Sequence, residues 1–386
     1  MSRPPVYLDY HATTPVDPRV LAVMLPYFTE TFGNPASSSH VWGWKAQEAV
    51  EESRRRVAAL IGATAREIVF TSGATESNNW AIKGVAAAAP AGRRHLVCSA
   101  IEHKCVLEVC KGLEAQGWRL TVMPVQRDGR IDLGLLSQVV SEETAVVSIM
   151  VANNEIGTVQ PMKEIAAIAH AKGALVHTDA AQAVGKIAVD VNAMGIDLLS
   201  LTGHKMYGPK GCGALYVRRK TPITSLIVGG GQERGFRSGT LNVPGIVGLG
   251  HACHLDRLEM QEETARLRRM RDRLLEGLQT RAGGVIVNGS IEHRLPHNLH
   301  VAFEGVDGES LIIGIGDIAV SSGSACSSAS NTPSHVLTAL LSGAPVPGAT
   351  VRFGLGRFTT DADIDYAIEK FATVVSRLRP SVSARA

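Results

Sequence analysis

The chain has 386 residues, 45% hydrophobic and 19% charged, with a formal net charge of +3. That length suits two domains around separate cores, and the composition is ordinary for a soluble globular protein. The small charge implies no nucleic-acid or other polyanion partner, and no stretch of about 18 apolar residues is available to span a membrane.

The opening "MSRPPVYLDYHATTP" lacks the apolar core of a signal peptide, so a cytoplasmic location is expected. The cysteines stand at 98, 105, 110, 212, 253 and 326 and are expected to stay reduced. None forms a CxxC pair, so neither a zinc ribbon nor a redox motif is signalled, and no metal site is expected. Further along, apolar runs with polar ends alternate with helical stretches. "EIVFTSG" predicts a buried strand and "ATESNNWAIKGVAAAA" the helix after it. "HLVCSAIEH", "RLTVMPV", "AVVSIMVANNE", "ALVHTDAAQ" and "DLLSLTGHK" repeat the strand pattern, and "PMKEIAAIAHAKG" is a helix closing on Gly173. This is the signature of an α/β domain with a mainly parallel sheet, whose ligand belongs at the carboxyl ends of the strands.

From about residue 256 the pattern changes. A long helix carries Leu267, Met270, Leu274 and Leu278 at helical spacing, with the arginines between Arg266 and Arg273 expected on its solvated face. "GVIVNG", "HNLHVAFEG", "IAVSSGS" and "TVRFGLG" predict shorter strands, and a last helix begins near Asp361. A smaller α+β domain is expected.

Chemistry concentrates at the strand ends. "TSGATES" is a strand, a glycine turn and a helix start, whose free N–H groups and Thr75 hydroxyl suit a phosphate; an ordinary capped helix has the same pattern. Nucleotide-binding fingerprints are absent. Asp179 ends "VHTD" and needs a cation if buried, and Gln182 follows it. His204 and Lys205 end another strand; a buried lysine becomes an imine-forming amine, whereas most lysines are solvated charges. A phosphate site, a strand-end aspartate and a strand-end lysine together fit pyridoxal 5'-phosphate. His103, at a further strand end, then reads as a ring that stacks on the cofactor and relays protons. "SSGSACSSAS" sets Cys326 in a loop of small residues, which is either incidental or the mark of a nucleophile that must travel.

The motifs "YLDYHATTPVDPRV", "FGNPASSSH", "EIVFTSGATESNN", "VSIMVANNEIGTVQP", "HTDAAQAVGK", "GHKMYGPKGCGALYVRR", "GGGQERGFRSGTLNV", "SSGSACSSAS" and "VRFGLGRFTT" cover nearly the whole chain. In that order they resemble the cysteine desulfurases of the class V, fold type I pyridoxal-phosphate enzymes, in the NifS/IscS-like group I branch. The serine-rich loop around Cys326 argues against group II, whose cysteine lies in a shorter loop.

The resemblance implies a large cofactor domain, residues 14–255, with a mainly parallel seven-stranded sheet. It also implies a small domain from residues 1–13 and 256–386 that carries the cysteine loop. Lys205 would form the Schiff base, His103 would stack on the pyridine ring, Asp179 would pair with the ring nitrogen and Gln182 would bond the ring hydroxyl. Ala74, Thr75, Thr202 and His204 would surround the phosphate, joined by Thr240 from the second subunit of a homodimer. Asn154 and Arg352 would hold the substrate carboxylate. Cys326 would take sulfur from L-cysteine, leaving L-alanine, and pass it as a persulfide to acceptor proteins, in iron–sulfur cluster assembly or another pathway. A free thiol titrates near 8.5, so the site must deprotonate Cys326; His103 or the substrate's own groups are the candidates. His11 and Gln232 fall where the family varies and are expected to matter little, and the other five cysteines are expected to pack. The chain stops soon after "VVSRLRPSVSARA", short of the tail that helps some relatives dock the iron–sulfur scaffold, so that partner stays open. Two other readings remain: a different enzyme of the fold type, such as a small-amino-acid aminotransferase or selenocysteine lyase, or a non-catalytic subunit. Cys326 discriminates against a transaminase, and the intact set of Lys205, His103 and Asp179 against a non-catalytic subunit.

Overall fold

A computed structural model describes residues 5–322 and 334–379. Its strands, in chain order, are β1 (Val6–Tyr7), β2 (Ile68–Thr71), β3 (His95–Ser99), β4 (Arg119–Met123), β5 (Thr144–Ser148), β6 (Leu175–Asp179) and β7 (Leu198–Thr202). There follow β8 (Gly213–Val217), β9 (Val285–Val287), β10 (Asn298–Glu304), β11 (Ile318–Ala319), β12 (Ser321–Ser322) and β13 (Gly348–Gly354).

Seven of these form one sheet in the order β2-β8-β7-β6-β5-β3-β4. The contacts from β7 through β6, β5 and β3 to β4 are parallel, and β8 alone runs against its neighbours. Residues of β3, β5, β7 and β8 are buried throughout, as expected for strands covered on both faces, while the edge strand β4 is largely exposed. The carboxyl ends of the parallel strands bring Thr71, Ser99, Ser148, Asp179 and Thr202 to one side, where the loops carry the polar motifs. The helix Met162–Ala171 ends as its sequence predicts, with Gly173 in the left-handed region at φ 69°.

A second, antiparallel sheet has the order β12-β13-β10-β9, and β1 pairs in parallel with β11. Both ends of the chain meet here. The helix Val243–Arg281 joins two cores: Ile246, Leu249 and Cys253 pack with the seven-stranded sheet, and Leu267, Met270, Leu274 and Leu278 pack with β10, β13 and the helix Asp361–Leu378. The expected boundary at 255/256 therefore falls inside one unbroken helix. Its arginines divide differently from expectation. Arg268, Arg269 and Arg273 are exposed, but Arg271 is buried. Arg266 donates to the carbonyls of Arg357 and Thr359, both at 2.9 Å, because that loop covers the helix face.

Candidate active site

A cavity of about 790 Å³ opens at the carboxyl ends of the strands. Ala74, Thr75, His103, Asn154, Asp179, Gln182, Thr202, His204, Lys205 and Arg352 all line it. Thr240 does not; its side chain is exposed on this chain. Cys326 lies outside the described residues, as does the rest of 323–333.

Lys205 sits on the 3-10 turn Gly203–Lys205 that follows β7. The N-terminal segment lies across this turn. Thr14 donates its N–H to the His204 carbonyl at 2.9 Å, and Thr13 Oγ1 meets His204 Nδ1 at 3.1 Å. The Lys205 amine donates to the carbonyls of His11 and Ala12, the latter at 2.7 Å. Burial pulls His204 down to about 4, so its ring is neutral at pH 7.

Asp179 is held from two sides. Asn78 Nδ2 donates to its Oδ2 at 2.7 Å, and the Ala181 N–H donates to Oδ1 at 2.9 Å. His103 is the N-cap of the helix Lys104–Glu114, its Nδ1 accepting from the Cys105 N–H at 3.2 Å. Cys105 Sγ lies 2.9 Å from the same nitrogen, so the ring is fixed by the helix start it caps. Burial lowers the His103 pKa, with the Asp179 charge opposing it. Cys105 itself lines the cavity and is half-buried, unlike the buried Cys98, Cys110, Cys212 and Cys253. Burial pushes its thiol up to about 12, which keeps it protonated.

The helix Ala74–Ala88 starts on Gly73, whose φ of 150° suits only glycine and which offers no side-chain cap. Its first N–H groups remain available to an anion. Opposite, on β13, Arg352 is buried and donates to the Asn154 carbonyl at 2.9 Å, Asp9 Oδ1 at 2.8 Å and Ser321 Oγ at 2.7 Å, while its Nε has no partner among the described residues. Ser321 and Ser334 flank the segment that carries Cys326. Ser334 Oγ donates to Glu155 Oε2 at 2.5 Å, so both flanks are tied to residues beside the cavity wall.

Sequence reasoning missed Asp9, Asn78 and Ser321, and set His11 aside. His11 is buried in the cavity wall, bonded to Gln182, and stacked on His297 with ring centroids 4.4 Å apart. Asp9 and His11 were visible as polar residues in "YLDYHATT", but only tertiary packing shows what they touch.

The class-V aminotransferase family model matches residues 6–367. The chain belongs to the class-V aminotransferase family. Among its relatives, "Cysteine desulfurase IscS" of Anaeromyxobacter sp. (strain K) is 54% identical over 97% of this chain and 93% of that protein. The protein of the same name from Rickettsia rickettsii (strain Iowa) is 52% identical over 97% and 92%. The solved structure of a "NIFS-LIKE PROTEIN" superposes with a TM-score of 0.90 at 38% identity, covering 97% of this chain and all of that one. "SspA in complex with cysteine" gives 0.80 at 39%, covering 92% and 100%. The cofactor of this class-V chain is pyridoxal 5'-phosphate. The cavity's donor set fits it: one amine from Lys205, an anchored carboxylate from Asp179, and an uncapped helix start for the phosphate. Among the described residues no His, Cys, Asp and Glu cluster could hold a metal, and no helix is long and apolar enough to cross a membrane.

Proposed function

We propose that this chain, a pyridoxal-phosphate-dependent cysteine desulfurase, takes sulfur from L-cysteine onto Cys326 and passes it as a persulfide to acceptor proteins. The observation that carries the reading is the gathering of Lys205, His103, Asp179 and Arg352 in one cavity of a chain 54% identical to a relative named for this activity.

Bound pyridoxal phosphate supplies an electron sink that lets bonds at the substrate's Cα and Cβ break. Lys205 holds the cofactor and then moves a proton at Cα. Asp179, held in place by Asn78 and the Ala181 N–H, keeps the proton on the ring nitrogen. Ala74, Thr75, Thr202 and His204 surround the phosphate. Asn154 and Arg352 orient the substrate carboxylate; the guanidinium supplies the positive charge, and Asp9 and Ser321 keep it in place. Cys326 is four positions beyond Ser322, and four extended residues span at most about 14 Å. The Cys326 thiolate attacks the substrate sulfur; an S–S bond forms, the Cβ–S bond breaks, and the carbon is protonated to give alanine. L-cysteine and the thiol become L-alanine and a persulfide, with no external oxidant or reductant.

Residues 14–255 form the cofactor domain, and 1–13 with 256–386 the small one; the two largest hydrophobic clusters, one drawn almost wholly from 14–255 and the other wholly from the remainder, support this. The chain works as a cytoplasmic homodimer in which Thr240 reaches the neighbouring phosphate site. Arg237, three residues before Thr240, already pairs with Glu76 at the phosphate-binding helix start at 2.9 Å. An iron–sulfur scaffold is one acceptor that fits such chemistry.

Incubation with L-cysteine and a thiol reductant should yield alanine and sulfide in equal amounts. Cys326→Ala should bind substrate yet make almost no alanine. After turnover, the native peptide carrying Cys326 should show one added sulfur that dithiothreitol removes. Alanine at the original rate from Cys326→Ala, or the added sulfur on Cys105, would overturn the assignment.

A further inference from the structure

Four buried side chains connect the start of β10 to the cavity, and their hydrogen bonds have one consistent direction. Arg294 lies in the loop before β10, and its guanidinium has donors only. Its Nη1 donates to Asn298 Oδ1 at 2.8 Å. That fixes which end of the Asn298 amide is oxygen. The Nδ2 group must then face the other way, where it meets the Glu155 carbonyl and His11 Nε2, both at 3.0 Å. One amide hydrogen goes to the Glu155 carbonyl and the other to His11; because the amide nitrogen can only donate, His11 Nε2 is left the role of acceptor and the imidazole proton sits on Nδ1. His11 Nδ1 in turn donates to Gln182 Oε1 at 2.9 Å. With its oxygen so engaged, the Gln182 amide directs one hydrogen to the His11 carbonyl at 3.1 Å, and the second is left for the cavity that Gln182 lines.

Water cannot replace any member. Arg294 is 5% exposed, Asn298 0%, His11 1% and Gln182 8%. Asn298 is also held by the backbone: a Cβ on Gly157, which has φ 70°, would lie 2.3 Å from Asn298 Oδ1, so the amide sits against a position where only glycine leaves room. Burial holds His11 well below its ordinary pKa, consistent with a neutral ring that donates from one nitrogen and accepts at the other.

We propose that Arg294, Asn298 and His11 form a polarity relay that orients the Gln182 amide as a hydrogen-bond donor, never an acceptor, toward the ring of bound pyridoxal phosphate. The relay rests on the reading that Gln182 faces that ring. Arg294, Asn298 and His11 are positioning residues: none needs to touch the cofactor, and each sets the orientation of the next. The ring oxygen it serves is an acceptor when ionised, and a carbonyl oxygen turned toward it would repel it.

The relay is testable first without cofactor. In the ¹⁵N-histidine-labelled apoprotein near pH 7.5, the His11 ring, assigned by its loss in His11→Asn, should show a protonated Nδ1 and a bare Nε2. An imidazolium, or a proton on Nε2, overturns the relay. Asn298→Asp then reverses one link, since a carboxylate still accepts from Arg294 but cannot donate to His11. This variant should move the His11 proton to Nε2 and weaken pyridoxal-phosphate binding about tenfold by fluorescence titration. Gln182→Leu should weaken binding similarly, and the double variant should be no worse than Gln182→Leu alone. Additive losses overturn the relay. If Gln182→Leu binds the cofactor as tightly as the native chain, then the placement of Gln182 at the ring fails, whatever tautomer His11 shows.

Discussion

Glu102, next to His103 in sequence, shows how a single side chain ties this site to pH. Its carboxyl is buried; one oxygen accepts from the Ser99 hydroxyl at 2.5 Å and the Met150 N–H at 2.9 Å, and Oε2 has no partner among the described residues. Burial, added to by the Asp179 charge, pushes its pKa up to about 8. The folded state thus holds this proton more tightly than the unfolded chain, where a glutamate titrates near 4.3. The stability contributed by Glu102 is therefore full below about pH 4.3 and falls as pH rises toward about 8, by up to about 1.4 kcal/mol per unit. Glu102→Gln keeps the accepting oxygen and removes the titration. It should melt higher than the native chain at pH 8.5 and no higher at pH 5, measured by differential scanning calorimetry. Equal melting shifts at both values would mean that Glu102 is not the group responsible.

Among the elements, the 39-residue helix Val243–Arg281 has the widest reach, because its two halves serve different cores. Leu274 is fully buried against the second core with Leu278, Phe353 and Phe371. Truncating it leaves a cavity that close-packed neighbours cannot refill, so Leu274→Ala should cost about 2–5 kcal/mol. Arg268 is exposed on the same helix, and Arg268→Ala should stay within about 0.5 kcal/mol. Urea-unfolding midpoints of the two variants check both values. The strand ends follow the same logic at shorter range. Strands β2, β6 and β7 are buried to their last residue, so the polar groups that reach the cavity are those at the strand ends, Asp179 and Thr202, and those just beyond them.

At the scale of the whole molecule, four large apolar side chains close in sequence, Phe28, Phe32, Trp42 and Trp44, are each more than half exposed on the single chain. Burying such side chains against a second subunit would remove them from water, as the proposed homodimer requires. Sedimentation velocity should find a dimer at assay concentration. Thr240→Ala should weaken cofactor retention at least tenfold, since a hydrogen bond to a phosphate is charge-assisted and contributes about 1.5–3 kcal/mol. Unchanged retention in dialysis would remove Thr240 from the site, and a fully active monomer would remove the second subunit.

The sequence by itself determined the alternation of strands and helices, and with it which loops share one side of the sheet. In a parallel sheet every strand end faces the same way, so "TSGAT", "SAIEH", "HTDAAQ" and "LTGHK" had to converge. It also marked Lys205, Asp179 and His103, because a charged or titratable group at the end of an apolar run is conspicuous along one dimension. Tertiary structure alone decided the rest. Asp9 reaches Arg352 across 343 positions, Asn78 reaches Asp179 across 101, and Asn298 reaches His11 across 287. No local period encodes such a pairing. The direction of a hydrogen bond is likewise absent from residue type: an asparagine or histidine can donate or accept, and only the neighbour that cannot do both, here the Arg294 guanidinium, settles which it does.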